Sequence, residues 1–431
     1  MFTTRYAKHF KVRSYNLLPL CSQYITGLMH SKKRNMERMV ECIPDADWQV
    51  MQNFLTYSPW DYKAVNKQLA QETDKALGAG KNKCLLIDES SFAKKGKSSV
   101  GVARQWNGRL GKVENSQVGV YATLAKDDRY SIIDTRLYLP REWTGDKKRM
   151  KKAKIPAENQ TYKTKLELAL EMVESAIEKG IEFNWVGADG FYGNDSKFIR
   201  AIDRLGQNLM IDIHSDRHIY TERPMFVIPE KKPGRGRKPR KAKPHIQSIR
   251  VDKLIGSCEE ELWKNVNIRK GTKGSIVAKA IKKTIWLWDN QKESAMKLTL
   301  IASKRNGKTK YSVTNINAGI ERLAYIQNQR YWVERSFQDA KSEIGMDEYQ
   351  VRNWLSWHHH MTLVMMSMLF MLEVKNIGKN EFPLLSTADI RILLAYFLPK
   401  RDITEKEVLL QMKIRHKQRK RDIEYTKNYK T

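Results

Sequence analysis

Hydrophobic and polar positions change rhythm several times along the chain. Up to about residue 80 the spacing is helical. In DADWQVMQNFL the residues Trp48, Met51 and Leu55 recur three and four apart on one side, and SKKRNMERMVECI offers Ser31 as an N-cap. From Lys81 the period shortens. KCLLIDES, SQVGVYATLA and YSIIDTRLYLP read as strands, the last two separated by the turn-like KDDR. TYKTKLELALEMVESAIEKG then forms an amphipathic helix closed by Gly180. An apolar run from Phe183 to Val186 leads into Asp189, where GFYG turns the chain. NDSKFIRAIDRLG follows as a helix and NLMIDIHSD as a strand. Between His214 and about Gly319 lies a Pro/Gly-rich basic loop, KKPGRGRKPRKAKP, with strand-like SIVAKAIKKTIWLWD and MKLTLIAS after it. Helical spacing resumes in AGIERLAYIQNQRYWVERSFQDAKSEIG, and a basic tail closes the chain as an expected helix. The apolar run MTLVMMSMLFML, Met361 to Leu372, is too short to span a bilayer and reads as a buried helix.

This order divides the chain into a helical region (1–80), a strand-rich core (81–215), a β-rich insertion (216–319), a return to the core (320–375) and a basic helical end (376–431). The fold class is α/β. Three consecutive strands followed by two strand–helix units match the topology of the ribonuclease-H-like fold. With 431 residues, 41% of them hydrophobic, the chain can bury cores for two or three domains. Its charge changes the picture more: 79 Lys and Arg against 48 Asp and Glu leave +31, so a polyanion, nucleic acid foremost, is the expected partner. The four cysteines are scattered with no Cys-x-x-Cys pair, which argues against a zinc finger or a disulfide framework. MFTTRYAKHFKVRSYN lacks the apolar centre of a signal peptide, so a cytoplasmic, nucleoid-associated protein without a membrane partner is expected.

The candidate chemistry is acidic. Asp88 closes CLLID much as Asp189 closes WVGAD, so two strands that neighbour each other in such a sheet would each present a carboxylate at the same edge. Two converging carboxylates suit a hard divalent cation, Mg²⁺ or Mn²⁺. As single residues, both are equally readable as turn or cap residues. A third acid is expected on RYWVERSFQDAKSEIG. There Val333, Phe337, Ala340 and Ile344 form a buried face, and Arg330, Glu334, Gln338 and Lys341 form the adjacent stripe. Glu343, nine residues from Glu334, is rotated about 180° from it and should face solvent or a neighbouring element. An exposed Arg330–Glu334 pair is the plain alternative.

LLIDESSFAKKG, WVGADGFYGND and the Arg-x3-Glu-x6-Lys spacing of Arg330, Glu334 and Lys341 together resemble the DDE transposases of bacterial insertion sequences, in the branch with a β-strand insertion before the Glu. The resemblance implies that Asp88, Asp189 and Glu334 are catalytic metal ligands and that Arg330 and Lys341 contact phosphate. It further implies two Mg²⁺ or Mn²⁺ ions roughly 4 Å apart across a scissile phosphate. The implied partners are double-stranded DNA, as element ends and target, and a second copy of the chain in the synaptic complex. The related signature has Tyr three residues before the Arg, and Gln327 stands there. No Gly-x4-Gly-Lys-[Ser/Thr] loop is present. A transposase-derived DNA-binding protein without activity and a nuclease that cuts without joining are the alternatives.

Two further features are basic or aromatic. Lys231 to Lys243 holds eight Lys or Arg in thirteen residues, including Arg235, Arg237, Lys238 and Arg240. GRGRKP within it resembles a minor-groove clamp, although a generic phosphate-binding loop accounts for it as well. DKKRMKKAK, Asp146 to Lys154, is a second phosphate-contact candidate. Trp286 and Trp288 alternate on one strand face. Core packing is the ordinary role for Trp, and the resemblance adds a base-stacking one. His358 to His360 are consecutive helical residues pointing about 100° apart, so they are not expected to share an ion.

Overall fold

The fold is that of a computed structural model describing residues 2–230, 233–234, 240, 243–271, 274–288 and 294–428. Four helices precede the sheet: α1 (Leu18–His30), α2 (Met36–Cys42), α3 (Trp48–Thr56) and α4 (Tyr62–Leu77). Met51 and Leu55 of α3 are buried, and Trp48 at its start is 39% exposed. Ser31 does not cap α2. It follows α1, and Asn35 accepts the Arg38 N–H instead, the side-chain oxygen taking up an otherwise unpaired helix donor.

Ten strands make one mixed sheet among the described residues. They are β1 (Lys83–Ala93), β2 (Ala103–Asn107), β3 (Lys112–Lys126), β4 (Arg129–Leu137), β5 (Val186–Ala188), β6 (Leu209–Ile213), β7 (Lys264–Gly271), β8 (Gly274–Leu287), β9 (Met296–Arg305) and β10 (Lys308–Thr314). The order across the sheet is β7-β8-β9-β10-β6-β5-β1-β3-β2, with β4 also paired to β3. β1 runs antiparallel to β3 and parallel to β5, and β5 is parallel to β6. Lys83 to Ile87 are all buried, as a strand covered on both faces requires. The short edge strand β2 was not expected from hydrophobic spacing, since ARQWN offers a single aromatic among polar residues.

The β-rich insertion is continuous with this sheet. Its hairpins β7-β8-β9-β10 join at the edge through antiparallel pairing of β10 with β6. Asn306 and Gly307, both with positive φ (49° and 73°), make the two-residue turn between β9 and β10, a conformation that Asn and Gly tolerate best.

Between β4 and β5 lies α5 (Lys165–Glu178), and between β5 and β6 lies α6 (Ser196–Arg204). After β10 the stretch of helical spacing forms two helices, α7 (Ile320–Asn328) and α8 (Tyr331–Ser342). Backbone bonds of Gln329 to Ile326, Trp332 to Gln329 and Val333 to Arg330 span three residues rather than four, which tightens and redirects the chain at Arg330.

Helix α9 (Trp354–Gly378) is apolar on every side and runs through the interior, with Met361 to Leu369 buried. It is long and apolar enough to cross a membrane, but most of that stretch is enclosed by the rest of the fold. Helices α1, α3 and α4 pack on α9, and α4 also lies on β4, so residues 1–80 and the sheet share one core. Two helices follow, α10 (Thr387–Phe397) and α11 (Glu405–Asn428). Arg415 of α11 pairs with Glu41 of α2 at 2.6 Å.

Candidate active site

The parallel register pairs Leu85 with Val186, Leu86 with Gly187 and Ile87 with Ala188, so the next residues on the two strands are Asp88 and Asp189. The strands part there. β5 ends at Ala188, whereas β1 continues to Ala93, paired with β3. Asp88 is therefore inside its strand and not at its end, which corrects the sequence expectation. Asp189 leaves the sheet as the N-cap of the one-turn helix Gly190–Gly193, its Oδ1 accepting the N–H groups of Phe191 (3.0 Å) and Tyr192 (3.5 Å). Gly193 has to be glycine, because a Cβ there would lie 1.8 Å from the Asp212 carbonyl oxygen. The turn after Asp189 thus sits against β6.

Asp88, Asp189, Arg330, Glu334 and Lys341 line one open cleft of about 1010 Å³. α8 and the residue that precedes it bring the last three. Val333, Ala340 and Ile344 are fully buried and Phe337 nearly so, and Glu334 stands 56% exposed on the adjacent stripe. Arg330, immediately before α8, is largely buried and meets three acids. Its Nη2 donates to Glu334 Oε1 at 2.6 Å, its Nη1 lies 3.4 Å from Asp88 Oδ2, and its Nε lies 2.7 Å from Asp212 Oδ2. Lys341 Nζ lies 5.4 Å from the centroid of the Phe92 ring. Glu343 takes the neighbouring-element alternative, since its Oε2 accepts from Arg391 Nε of α10 at 2.7 Å.

Electrostatics in the cleft are unbalanced. Burial, with repulsion from Asp189, pushes the Asp88 carboxyl up to about 8, and the Arg330 charge opposes the rise only in part. Asp189 is raised too, by burial first and then by Glu89. Glu89 is itself anchored, receiving Lys165 Nζ at 3.0 Å and the Tyr192 hydroxyl at 2.9 Å. Burial works against the Arg330 charge, yet Asp212, Asp88, Glu334 and Asp189 together hold its pKa above the ordinary value. Burial lowers the Lys341 ammonium.

Two adjacent aspartates, both held above their ordinary pKa values, offer an all-oxygen donor set that a divalent cation relieves, so the pair fits Mg²⁺ or Mn²⁺. The third acid is not closed onto the pair. Among the described residues no group of three or more His, Cys, Asp or Glu is gathered to hold an ion, and Glu334 faces Arg330.

The other sequence candidates are distributed differently. Trp286 is half-buried on β8 between buried Ile285 and Leu287, with Lys297 Nζ 6.0 Å from its ring. The Trp288 ring, just past the end of β8, packs against that of Phe226 with centroids 4.0 Å apart and the planes tilted by 33°. Neither lines the acidic cleft. Arg240 is exposed, and Arg235, Arg237 and Lys238 lie outside the described residues. Each histidine of the His358–His360 run has separate partners: the Trp354 carbonyl, those of Leu55 and Trp60, and Tyr24 with the Met346 carbonyl.

Sequence reasoning missed a residue behind the cleft and one on its wall. Asp212 lies in the quoted strand NLMIDIHSD, but its contact with Arg330 depends on chain folding. Trp106, on edge strand β2, lines the cleft and is 61% exposed, the most exposed tryptophan of the chain. Arg109, in the turn beyond it, pairs with Asp347 at 2.9 Å.

Comparison with known proteins gives two findings. A family described as DDE superfamily endonuclease matches residues 11–275, more than half of the chain, a stretch that holds Asp88 and Asp189 and ends before Glu334. A protein of Microchaete diplosiphon described as "Probable transposase for insertion sequence element IS701" is 25% identical over 331 residues, covering 75% of this chain and 74% of its own.

Proposed function

Because the chain belongs to the DDE superfamily of endonucleases, we propose that the acidic cleft is its active site and that the protein is a transposase that cuts DNA at the terminal inverted repeats of an insertion sequence and joins the ends to target DNA. The observation that carries this reading is that Asp88, within β1, and Asp189, just past the end of the parallel strand β5, follow directly on paired residues, with Glu334 on the wall of the same cleft. The strand order β4-β3-β1-β5-β6, antiparallel for the first three and parallel for the last two, supports a ribonuclease-H-like core. The similarity to a probable insertion-sequence transposase supports the transfer reaction.

Asp88, Asp189 and Glu334 would hold two Mg²⁺ or Mn²⁺ ions, which when bound supply Lewis acidity to the attacking and leaving oxygens of a phosphodiester. The chain's own cations do the positioning. Lys341 and Arg330 line the cleft wall where they can orient phosphate, and the net charge of +31 favours the approach of DNA. Trp106 lines the cleft with most of its side chain exposed, and its ring would stack on a base near the cut. Arg240 and its neighbours in sequence, Arg235, Arg237 and Lys238, would add phosphate contacts, and Trp286 and Trp288 would stack on a base. A second copy of the chain completes the synaptic complex.

The test is an assay with purified protein, Mg²⁺ and DNA that carries the sequences flanking the gene. The expected result is cleavage at a defined phosphodiester and joining of the 3′ end into a plasmid. Cleavage without joining would favour a stand-alone nuclease, and binding without cleavage would favour a transposase-derived DNA-binding protein.

A further inference from the structure

Arg330 is held from behind by a network that the acidic triad does not include. Gln327, fully buried on α7, donates through Nε2 to Ser312 Oγ at 2.9 Å, and Ser312 Oγ donates to Asp212 Oδ1 at 2.6 Å. The other oxygen of Asp212 lies 3.1 Å from Lys310 Nζ and 2.7 Å from Arg330 Nε. Lys310 also donates to the Gln327 carbonyl at 3.2 Å, which closes the network. β10 supplies Ser312 and Lys310, β6 supplies Asp212, and their pairing sets Ser312 directly opposite Asp212. Gln327 therefore faces inward, and its link to the cleft runs through Asp212.

The guanidinium is planar and meets three carboxylates: Nη1 donates to Asp88 and Nη2 to Glu334, while Nε lies 2.7 Å from Asp212 as an ion pair without hydrogen-bond alignment. The shortest contacts are those to Glu334 and Asp212, and the 3.4 Å contact to Asp88 is the loosest. A cation that rests on Asp88 and Glu334 occupies the oxygens a divalent ion needs. Removing Asp212 leaves the guanidinium free to settle on the two remaining acids.

We infer that Asp212 is a positioning residue for Arg330, and that through this contact it sets how strongly the guanidinium competes with a divalent cation for Asp88 and Glu334. The inference rests on the proposed metal site and adds a determinant of its affinity. Gln327, Ser312 and Lys310 fix the orientation of the Asp212 carboxylate. Arg330 then has two duties, phosphate positioning and occupation of the acids before metal arrives.

The experiment is Mn²⁺ binding to the full chain without DNA, read from the electron paramagnetic resonance signal of free Mn²⁺. Asp212→Asn should weaken binding by about tenfold, and Arg330→Ala should tighten it. In the Arg330→Ala background, Asp212→Asn should change the affinity by no more than about twofold, because the competitor is gone. An equal factor in both backgrounds would make Asp212 only a nearby charge and overturn the inference, as would no change in the native background. If Asp212→Asn does not fold, Ser312→Ala loosens the same carboxylate and should weaken binding in the same direction, again only with Arg330 present. If the native chain binds Mn²⁺ no better than Asp88→Asn, the metal-site reading itself fails and the inference falls with it. If native binding exceeds that of Asp88→Asn and the cycle is flat, only the inference fails.

Discussion

Asp88→Asn is expected to stabilise the metal-free fold while it removes function. In the folded chain the Asp88 carboxyl is pushed up to about 8, by burial first and by Asp189 second, against an ordinary value of 3.8. The folded acid holds its proton where the unfolded chain has released it. Below pH 3.8 both states are protonated and the group is neutral to stability. Above that, each pH unit costs the folded state about 1.4 kcal/mol, so about 4 kcal/mol has accumulated by pH 7, and the growth stops near pH 8. Asparagine keeps the shape without the charge and recovers an appreciable part of this. Urea unfolding in EDTA, with native and Asp88→Asn chains compared at pH 4.5 and pH 8, reads the effect. The substituted chain should unfold at higher urea at pH 8, and the difference should shrink markedly at pH 4.5. A substituted chain no more stable than the native one at pH 8 would refute the charge imbalance assigned to the cleft.

Three further expectations follow from other parts of the structure. Burial drives His358 and His360 down to about 3 and His359 to about 4, so below pH 6.5 the unfolded chain takes up protons that the folded chain refuses. Each of them should cost about 2 kcal/mol at pH 5. In the Asp88→Asn background the urea midpoint should therefore fall between pH 7 and pH 5, and a flat profile would contradict the neutral burial of these rings. Trp106→Ala should lower affinity for end DNA by about 1–3 kcal/mol and leave the urea midpoint nearly unchanged, with Trp106→Phe retaining most of the binding. Unaltered affinity in a gel-shift titration would remove Trp106 from the DNA path. Glu343→Gln breaks the partly buried pair with Arg391 and should cost about 1 kcal/mol of stability without loss of cleavage, the reverse of what Glu334→Gln should do.

The sheet was largely legible because its central strands are continuous apolar runs and its helices carry a clear amphipathic period. Asp88 and Asp189 could be aligned from sequence since each follows such a run. The extent of β1 could not be read, because ESSFA is polar and is held in the sheet by β3, not by its own hydrophobicity. The break at Gln329 contains neither Gly nor Pro, and only the short-span backbone bonds reveal it. Asp212 was invisible for a different reason. Its meaning comes from β10, whose Ser312 is 100 residues away in sequence and opposite in register. Trp106 was missed because a short edge strand has little hydrophobic pattern, and the cleft it lines forms only when α8 docks on the sheet.

The central claim is that Asp88, Asp189 and Glu334 form one metal-dependent active site. The most direct test measures end-DNA cleavage and end-DNA binding in parallel for Asp88→Asn, Asp189→Asn and Glu334→Gln, with Mg²⁺ and with Mn²⁺. Each substitution should reduce cleavage by orders of magnitude with either ion while binding stays near the native level. Substantial cleavage by any one of the three, with the protein folded and DNA bound, would take that acid out of the site and contradict the account.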